Sequence, residues 1–384
     1  MNSNAMPPEI ETIAHELSQS KVAVITTMNT VCGIAEYSRE LYSPIKSIFR
    51  EFHYIANRDV ADRTRPDEKD VVRLWEYGET SFADVLAWLN LNQPDILHIQ
   101  LHSEAHFTMV GLVNLLQGIK ALKFKIQIVI TPHSVRNRSF DLGAIVSELK
   151  PLCKILVHKQ QDYDYLTSIG LHYVEIFQHP FDSYPTREKN VIRKRLGITA
   201  SPIVVTHGLI SEHKGLVEMA QAIHLLKSQY PNILWLAVNA VNLNNTTSSA
   251  TYSRMQAAVS ATGIENNVRF FPDFLSPQEV TLLIQASDVG VCAYNEVGES
   301  ASGAVRKFMA SGTALIVTDI PMMQEVDEVL KIKHNDPATI ADAIDYLIKN
   351  PQVSSDLAKA ALNKCSMHSW KVMSQELLKV YEAL

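Results

Sequence analysis

The stretch NEVGESASGAVRKFMASG (295–312) sets two carboxylates, Glu296 and Glu299, ahead of small residues and then two cations, Arg306 and Lys307. Ser302 and Gly303 read as the N-cap and first turn of a helix. Val305, Phe308 and Met309 form its apolar face, and Gly312 is its C-terminal stop. The backbone N–H groups near 303–305 lack helical acceptors, and with the helix dipole they favour an anion. A solvated helix face is a reasonable reading for one of Arg306 and Lys307, and less so in a loop this rich in small residues.

A related pattern stands at VVTHGLISEHKGLVEMAQAI (204–223), where a strand passes through a loop into a helix. Lys214 and Gly215 fall where that helix begins, so an ammonium and unpaired N–H groups can converge on phosphate oxygens, although for this motif alone a solvated lysine at a helix start is the slightly favoured reading. The spacing is not that of a Walker loop. TTMNTVCGIAEYSREL (26–41) repeats the strand, loop and helix order with a single glycine, Gly33, able to bring backbone close to a ligand. A tight turn explains that glycine equally well. His98, His102 and His106 recur at spacings of four, but His98 lies in an extended apolar run and no HExxH occurs, so no metal site is expected. His133, in the polar turn TPHS after a strand, is the better site candidate, beside the reading of a hydrogen-bonded structural histidine. No G-x-S-x-G elbow and no full G-x-G-x-x-G appear, which disfavours hydrolase and dinucleotide-dehydrogenase chemistry.

These motifs sit at the ends of short β-branched runs that alternate with longer helical patterns, the signature of parallel sheets covered by helices. Strands are expected at 21–27, 52–55, 95–100, 126–131 and 154–158, with helices at about 34–50, 80–92, 109–122 and 141–150. The rhythm restarts at 202–208, 233–239, 268–271, 288–294 and 314–319. Turn-formers near 180–190 mark a linker. Two α/β domains are therefore expected, and in open parallel sheets ligands bind outside the carboxyl ends of the strands, where every motif above lies.

The chain of 384 residues, 46% hydrophobic, is long enough for two cores. A formal charge of −6 gives no general reason to expect nucleic acid as partner. Cys32, Cys153, Cys292 and Cys365 are dispersed, which speaks against a disulfide framework and for a reducing, cytoplasmic compartment. The N-terminal stretch lacks a signal-peptide core, and no apolar run approaches a membrane span. The basic patches KALKFK (120–125) and VIRKRLG (191–197) leave open a weak peripheral association with the inner face of a membrane, beside the plainer reading of solvated lysines.

Taken in order, CGIAEYSREL, DILHIQLH, TPHS, GLISEHKGL and ESASGAVRKFMASGTALIVTD resemble the retaining glycosyltransferases of family 4, group 1, and within them the bacterial mannosyltransferase-like members. The resemblance covers roughly 20–365 and implies the glycosyltransferase B fold: two Rossmann-like, doubly wound parallel-sheet domains facing a cleft. The expected division is 1–184 on the acceptor side, 185–365 for the nucleotide sugar, and a helix in 366–384 returning to the first domain. It implies a nucleotide-sugar donor, GDP- or UDP-linked, a glycan or lipid-linked acceptor, and no metal or other cofactor. It further places Gly33 near the donor phosphates, His133 and Glu299 at the transferred sugar, and Gly208, Lys214, Ser302, Gly303 and Ala304 at the diphosphate. The family often has an arginine where Leu209 stands, which shifts the clamp to Lys214 with Arg306 as a substitute. The family's second glutamate falls at Lys307. A binding subunit of low activity and a sugar-nucleotide 2-epimerase are the alternatives.

Overall fold

A computed structural model describes residues 6–58, 63–102, 107–136, 141–150, 153–182, 184–242, 246–298 and 301–384. The chain divides into two compact units, Met1–Pro180 with Gly298–Ala301 and Trp370–Leu384, and Phe181–Val297 with Ser302–Ser369. The divisions fall at 180/181 and 369/370, against the expected 184/185 and 365/366, because Phe181 is buried in the second unit's core and its N–H bonds the carbonyl of His368 at 2.9 Å.

The first unit is a seven-stranded parallel sheet in the order β3-β2-β1-β4-β5-β6-β7. The strands are β1 (Lys21–Ile25), β2 (Glu51–Asn57), β3 (Val71–Trp75), β4 (Ile96–Leu101), β5 (Gln127–Pro132), β6 (Cys153–Val157) and β7 (Val174–Ile176). Helices α1 (Pro8–Leu17), α2 (Gly33–Tyr42), α3 (Ala83–Asn92), α4 (Met109–Lys120), α5 (Val146–Leu149) and α6 (Gln160–Ser168) cover it. β4 is buried along its whole length, as a central parallel strand covered on both faces must be. One core lies under α3 and α4, and a second joins α1, α2 and the chain's last helix through Ile10, Leu41, Leu377 and Leu378.

The second unit is a six-stranded parallel sheet in the order β10-β9-β8-β11-β12-β13. In chain order it runs α7 (Lys189–Arg195), β8 (Ile203–Leu209), α8 (Leu216–Lys227), β9 (Leu234–Ala240), α9 (Thr246–Thr262), β10 (Val268–Phe270) and α10 (Pro277–Ala286). It continues through β11 (Val289–Cys292), α11 (Gly303–Ala310), β12 (Ala314–Thr318), β13 (Leu330–Ile332), α12 (Pro337–Lys349) and α13 (Pro351–Met367). The last helix, α14 (Trp370–Glu382), belongs to the first unit, where Ser374 Oγ donates to the Leu41 carbonyl at 2.6 Å.

The sheet order β3-β2-β1-β4 reverses direction beside β1, and β10-β9-β8-β11 does so beside β8. Those are the switch points at which α/β sheets open a crevice. The loop from β1 carries Gly33 and the loop from β8 carries Lys214. The expected helix over 34–50 ends earlier, at Tyr42: Ser43 is still helical in backbone, but Pro44 after it has no N–H to continue the ladder. Where a helix was expected over 141–150, a short 3-10 turn (Leu142–Ile145) leads into the single turn of α5.

Candidate functional site

In the second unit, Gly208, the last residue but one of β8, has φ +123, a conformation that ordinary side chains rarely adopt. A Cβ built there would stand 3.5 Å from Cβ of Ala304 and 3.9 Å from Nζ of Lys214. Gly208, Lys214 and Ala304, expected at one diphosphate, are thus brought around one small space by the ends of β8 and β11. The bare glycine keeps that space open.

Lys214 closes a 3-10 turn (Glu212–Lys214), and Gly215 then takes φ +66 as the N-cap of α8. A Cβ on Gly215 would lie 2.2 Å from the Ala293 carbonyl oxygen, so glycine is needed for conformation and for close approach. The turn is tied to the strand beside it: Asn295 N–H donates to the His213 carbonyl at 2.8 Å. Nζ of Lys214 lies 4.0 Å from the Tyr294 ring centroid, a cation–π seat that holds the ammonium over an apolar floor. Nearby, burial pushes the Cys292 thiol up to about 11, with the Tyr294 hydroxyl and the Lys214 charge pulling the other way. Tyr294 was not expected from the sequence; its only signal is its place just past a strand that leads into the acidic loop.

Ser302 is the N-cap of α11, its Oγ accepting from Val305 N–H at 3.4 Å. Gly303 is exposed, with nothing within 4 Å of a built Cβ, so the first turn of α11 presents open backbone. Arg306 goes elsewhere. It is 5% exposed, its guanidinium lies 5.3 Å from the Phe181 ring and Nη1 donates to the Ser302 carbonyl at 3.3 Å. Its charge is the second influence, after burial, on the Cys365 thiol, which is pushed up to about 12. It therefore props the start of α11 from inside the unit. Lys307 is also buried, at 7% exposure, and Leu209 carries no charge. Glu299 lies outside the described residues.

In the first unit, the carboxyl ends of four neighbouring strands each supply a polar group: Gln100 of β4, His133 after β5, His158 after β6 and His179 after β7. Tyr37 of α2 stands among them, its ring centroid 4.8 Å from His133, 5.6 Å from His158, 5.1 Å from His179 and 5.3 Å from Trp370 of α14. His133 is half-buried; its ring Nε2 lies 2.9 Å from Gln100 Oε1, and its backbone N–H donates to the Leu101 carbonyl at 2.8 Å. Gly33, the first residue of α2, is exposed, and a built Cβ meets nothing within 4 Å, so the protein itself does not require glycine there. The helix it begins also carries Tyr37, whose ring lies beside His133. Ser134, next to His133, donates to the Gly298 carbonyl at 3.2 Å. Spacing alone does not reveal Tyr37, His158, His179 or Gln100 as neighbours of His133, because their proximity is a product of strand order.

His98 is structural. It is fully buried on β4 within hydrogen-bond distance of Tyr42, Tyr381 and Thr131, and burial presses its basicity down to about 3. Among the described residues, no group of three or more His, Cys, Asp or Glu is placed to hold a metal. The basic patches are partly neutralised, Lys120 by Glu148 at 2.7 Å and Arg193 by Asp288 at 2.7 Å. Among the described residues, no helix is long and apolar enough to cross a membrane.

Comparison with known proteins fits this arrangement. Residues 188–364 match the family model "Glycosyl transferases group 1". The chain is 23% identical over 342 residues to phosphatidyl-myo-inositol mannosyltransferase of Mycobacterium tuberculosis, covering 83% of this chain and 81% of that protein. It is 26% identical over 209 residues to spore coat protein SA of Bacillus subtilis, covering 51% and 52%. Among solved structures, sucrose-phosphate synthase from Thermosynechococcus elongatus superposes with TM-score 0.78 at 16% identity, over 95% of this chain and 99% of that one. Anabaena HepE, solved in complex with UDP and glucose, gives 0.74 at 14% identity over 95% and 100%.

Proposed function

We propose, from the premise that this chain is a group 1 glycosyltransferase with the glycosyltransferase B fold, that it moves a sugar from a GDP- or UDP-linked donor to a glycan or lipid-linked acceptor with retention of configuration. The observation that carries the reading is the convergence of Gly208, Lys214 and Ala304 around one open space at the carboxyl end of β8.

Breaking a glycosyl–phosphate bond gathers negative charge on the departing diphosphate. Groups already aimed at that charge lower the barrier most. Lys214 supplies a fixed cation, held by Tyr294 at 4.0 Å, and the open first turn of α11 supplies N–H donors and the positive end of a helix dipole. This pairing does the neutralising for which a metal is otherwise recruited, and it supports a metal-independent mechanism. His133 meets the donor sugar, and Glu299, by resemblance, orients its hydroxyls. With retention, the departing phosphate oxygen takes the acceptor's proton while the acceptor attacks from the same face, so no protein base is assigned.

A thermal-shift screen of UDP-, GDP- and ADP-sugars, followed by turnover with the best ligand, tests the reading. A selective shift with transfer or slow hydrolysis that Lys214→Ala abolishes is the expected result. No shift with any donor would sink it. Buried Lys307, where the family's second glutamate falls, favours a binding subunit as the second reading; nucleotide binding without turnover across a broad acceptor panel would establish that instead.

A further inference from the structure

Arg73 stands on β3, the edge strand of the first unit's sheet, where the register to β2 is irregular. Ala56 pairs with Arg73 and Asn57 with Trp75, leaving Leu74 as an extra residue. A bulge of this kind re-aims a side chain at the rim of a sheet. The guanidinium reaches the loop between β1 and α2: Nη2 donates to the Met28 carbonyl at 3.0 Å, and Nη1 donates to the Asn57 carbonyl at the end of β2. Nε and Nη2 also grip the two carboxylate oxygens of Asp67, at 2.8 and 2.7 Å. That fork, before any other influence, holds the Asp67 carboxyl below the usual carboxylate range, so the pair stays ionised at neutral pH.

Asp67 passes the hold on to Asn29. A carboxylate only accepts, so the amide nitrogen of Asn29 faces it, Nδ2 donating to Oδ1 at 3.0 Å and to the Pro66 carbonyl at 3.3 Å. Asn29 is 3% exposed and has φ +55, the left-handed conformation that asparagine tolerates better than most residues. Its carbonyl accepts from Thr64 N–H at 2.9 Å, and Thr30 forms an antiparallel bridge with Arg63. The chain then enters α2 at Gly33. Stability alone does not call for this arrangement. The Arg73 and Asp67 side chains are only 12% and 22% exposed, and an ion pair so far from water loses in desolvation much of what it gains in attraction. Its effect is to leave the loop a single conformation.

We propose that Arg73 is a positioning residue: through Asp67 and Asn29 it fixes the β1–α2 loop, and the loop aims Gly33 and the first turn of α2 at the departing diphosphate. This rests on the reading that the Gly33 turn meets the donor phosphates. Backbone N–H groups stabilise charge that develops in the transition state when they are already aimed at it. Loosening the loop therefore lowers kcat more than it raises the donor KM.

The test compares wild type with Arg73→Met and Asn29→Gly, using the sugar nucleotide that gives wild type its largest thermal shift. Asn29→Gly removes the amide tie while keeping the Arg73–Asp67 pair and a residue at ease with φ +55. Arg73→Met is expected to lower kcat roughly 10- to 100-fold with donor KM changed by less than about 3-fold. Asn29→Gly is expected to lower kcat by at least about 3-fold. With no donor present, a thiol reagent should modify half-exposed Cys32, at the end of the loop, faster in both variants than in wild type, read by mass spectrometry. An unchanged Cys32 rate in Asn29→Gly overturns the proposal, whether or not Arg73→Met folds. A faster Cys32 with unchanged kcat, measured well below both melting points, also overturns it and locates the failure in the placing of Gly33 at the phosphates. A wild type that turns over no sugar nucleotide sinks the proposed function itself, and this role with it.

Discussion

Replacing Lys214 by Met removes the ammonium and keeps most of the stem. The seat on Tyr294 is one task of this lysine and the diphosphate contact proposed above is a second, and their sizes separate the outcomes. Its seat on Tyr294 at 4.0 Å is worth about 0.5–2 kcal/mol of stability, depending on how far it is desolvated. That lowers the melting point of the unliganded protein by a few degrees, at about 2–4 °C per kcal/mol for a unit of this size. A hydrogen bond to a charged diphosphate is worth about 1.5–3 kcal/mol, so donor affinity falls roughly 10- to 150-fold. With donor at about 100 times the wild-type Kd, binding stabilises wild type by about 2.7 kcal/mol; a 100-fold weaker site gains only about 0.4 kcal/mol at that concentration. The quantity to compare in a thermal-shift titration is therefore the donor-induced increment, which should nearly vanish in Lys214→Met. Tyr294→Leu, which keeps the cation and removes its floor, should lose part of it. An undiminished increment in Lys214→Met would refute the assignment of Lys214 to the diphosphate.

Gly215→Ala places a Cβ 2.2 Å from the Ala293 carbonyl oxygen at φ +66 and should cost about 1–3 kcal/mol, read as a lower urea midpoint. His98 has its basicity lowered in the fold, so the unfolded chain binds the extra proton; stability should fall as pH drops from about 6.5 toward 3, and His98→Phe should flatten that slope in acid denaturation. Burial raises the thiols of Cys153, Cys292 and Cys365 to about 12, 11 and 12, so stability should decline as pH climbs from about 8.5 toward those values. In native protein near pH 8, a thiol reagent should modify half-exposed Cys32 well before the other three, read by mass spectrometry of the digested product.

Long apolar runs were readable as strands because a parallel strand covered on both faces must be apolar throughout, as β4 and β9 are. The short edge strands β3, β7 and β13 escaped, since VVRLW, VEI and LKI carry charges and are too brief for a period to show. Lys214 and the Ser302–Ala304 turn were legible because glycine and a helix start leave a local mark. Arg306 was not, because the same two signals suit a cation turned toward solvent or one folded back onto Phe181, and only packing decides between them. Gln100 was invisible as a partner of His133: strands β4 and β5 are adjacent through the sheet order and not through any sequence pattern.

The bond from Phe181 N–H to the His368 carbonyl, with the parallel bridge between Phe181 and Ser369, makes the second unit's long stretch begin and end at one spot. Topologically that stretch is a cassette: a polypeptide with coincident ends can be lifted out, circularly permuted by joining them, or exchanged for a relative's counterpart with two adjacent splice points. A single recombination event at those two adjacent points would exchange the second unit's sheet while leaving the first unit's sheet in place.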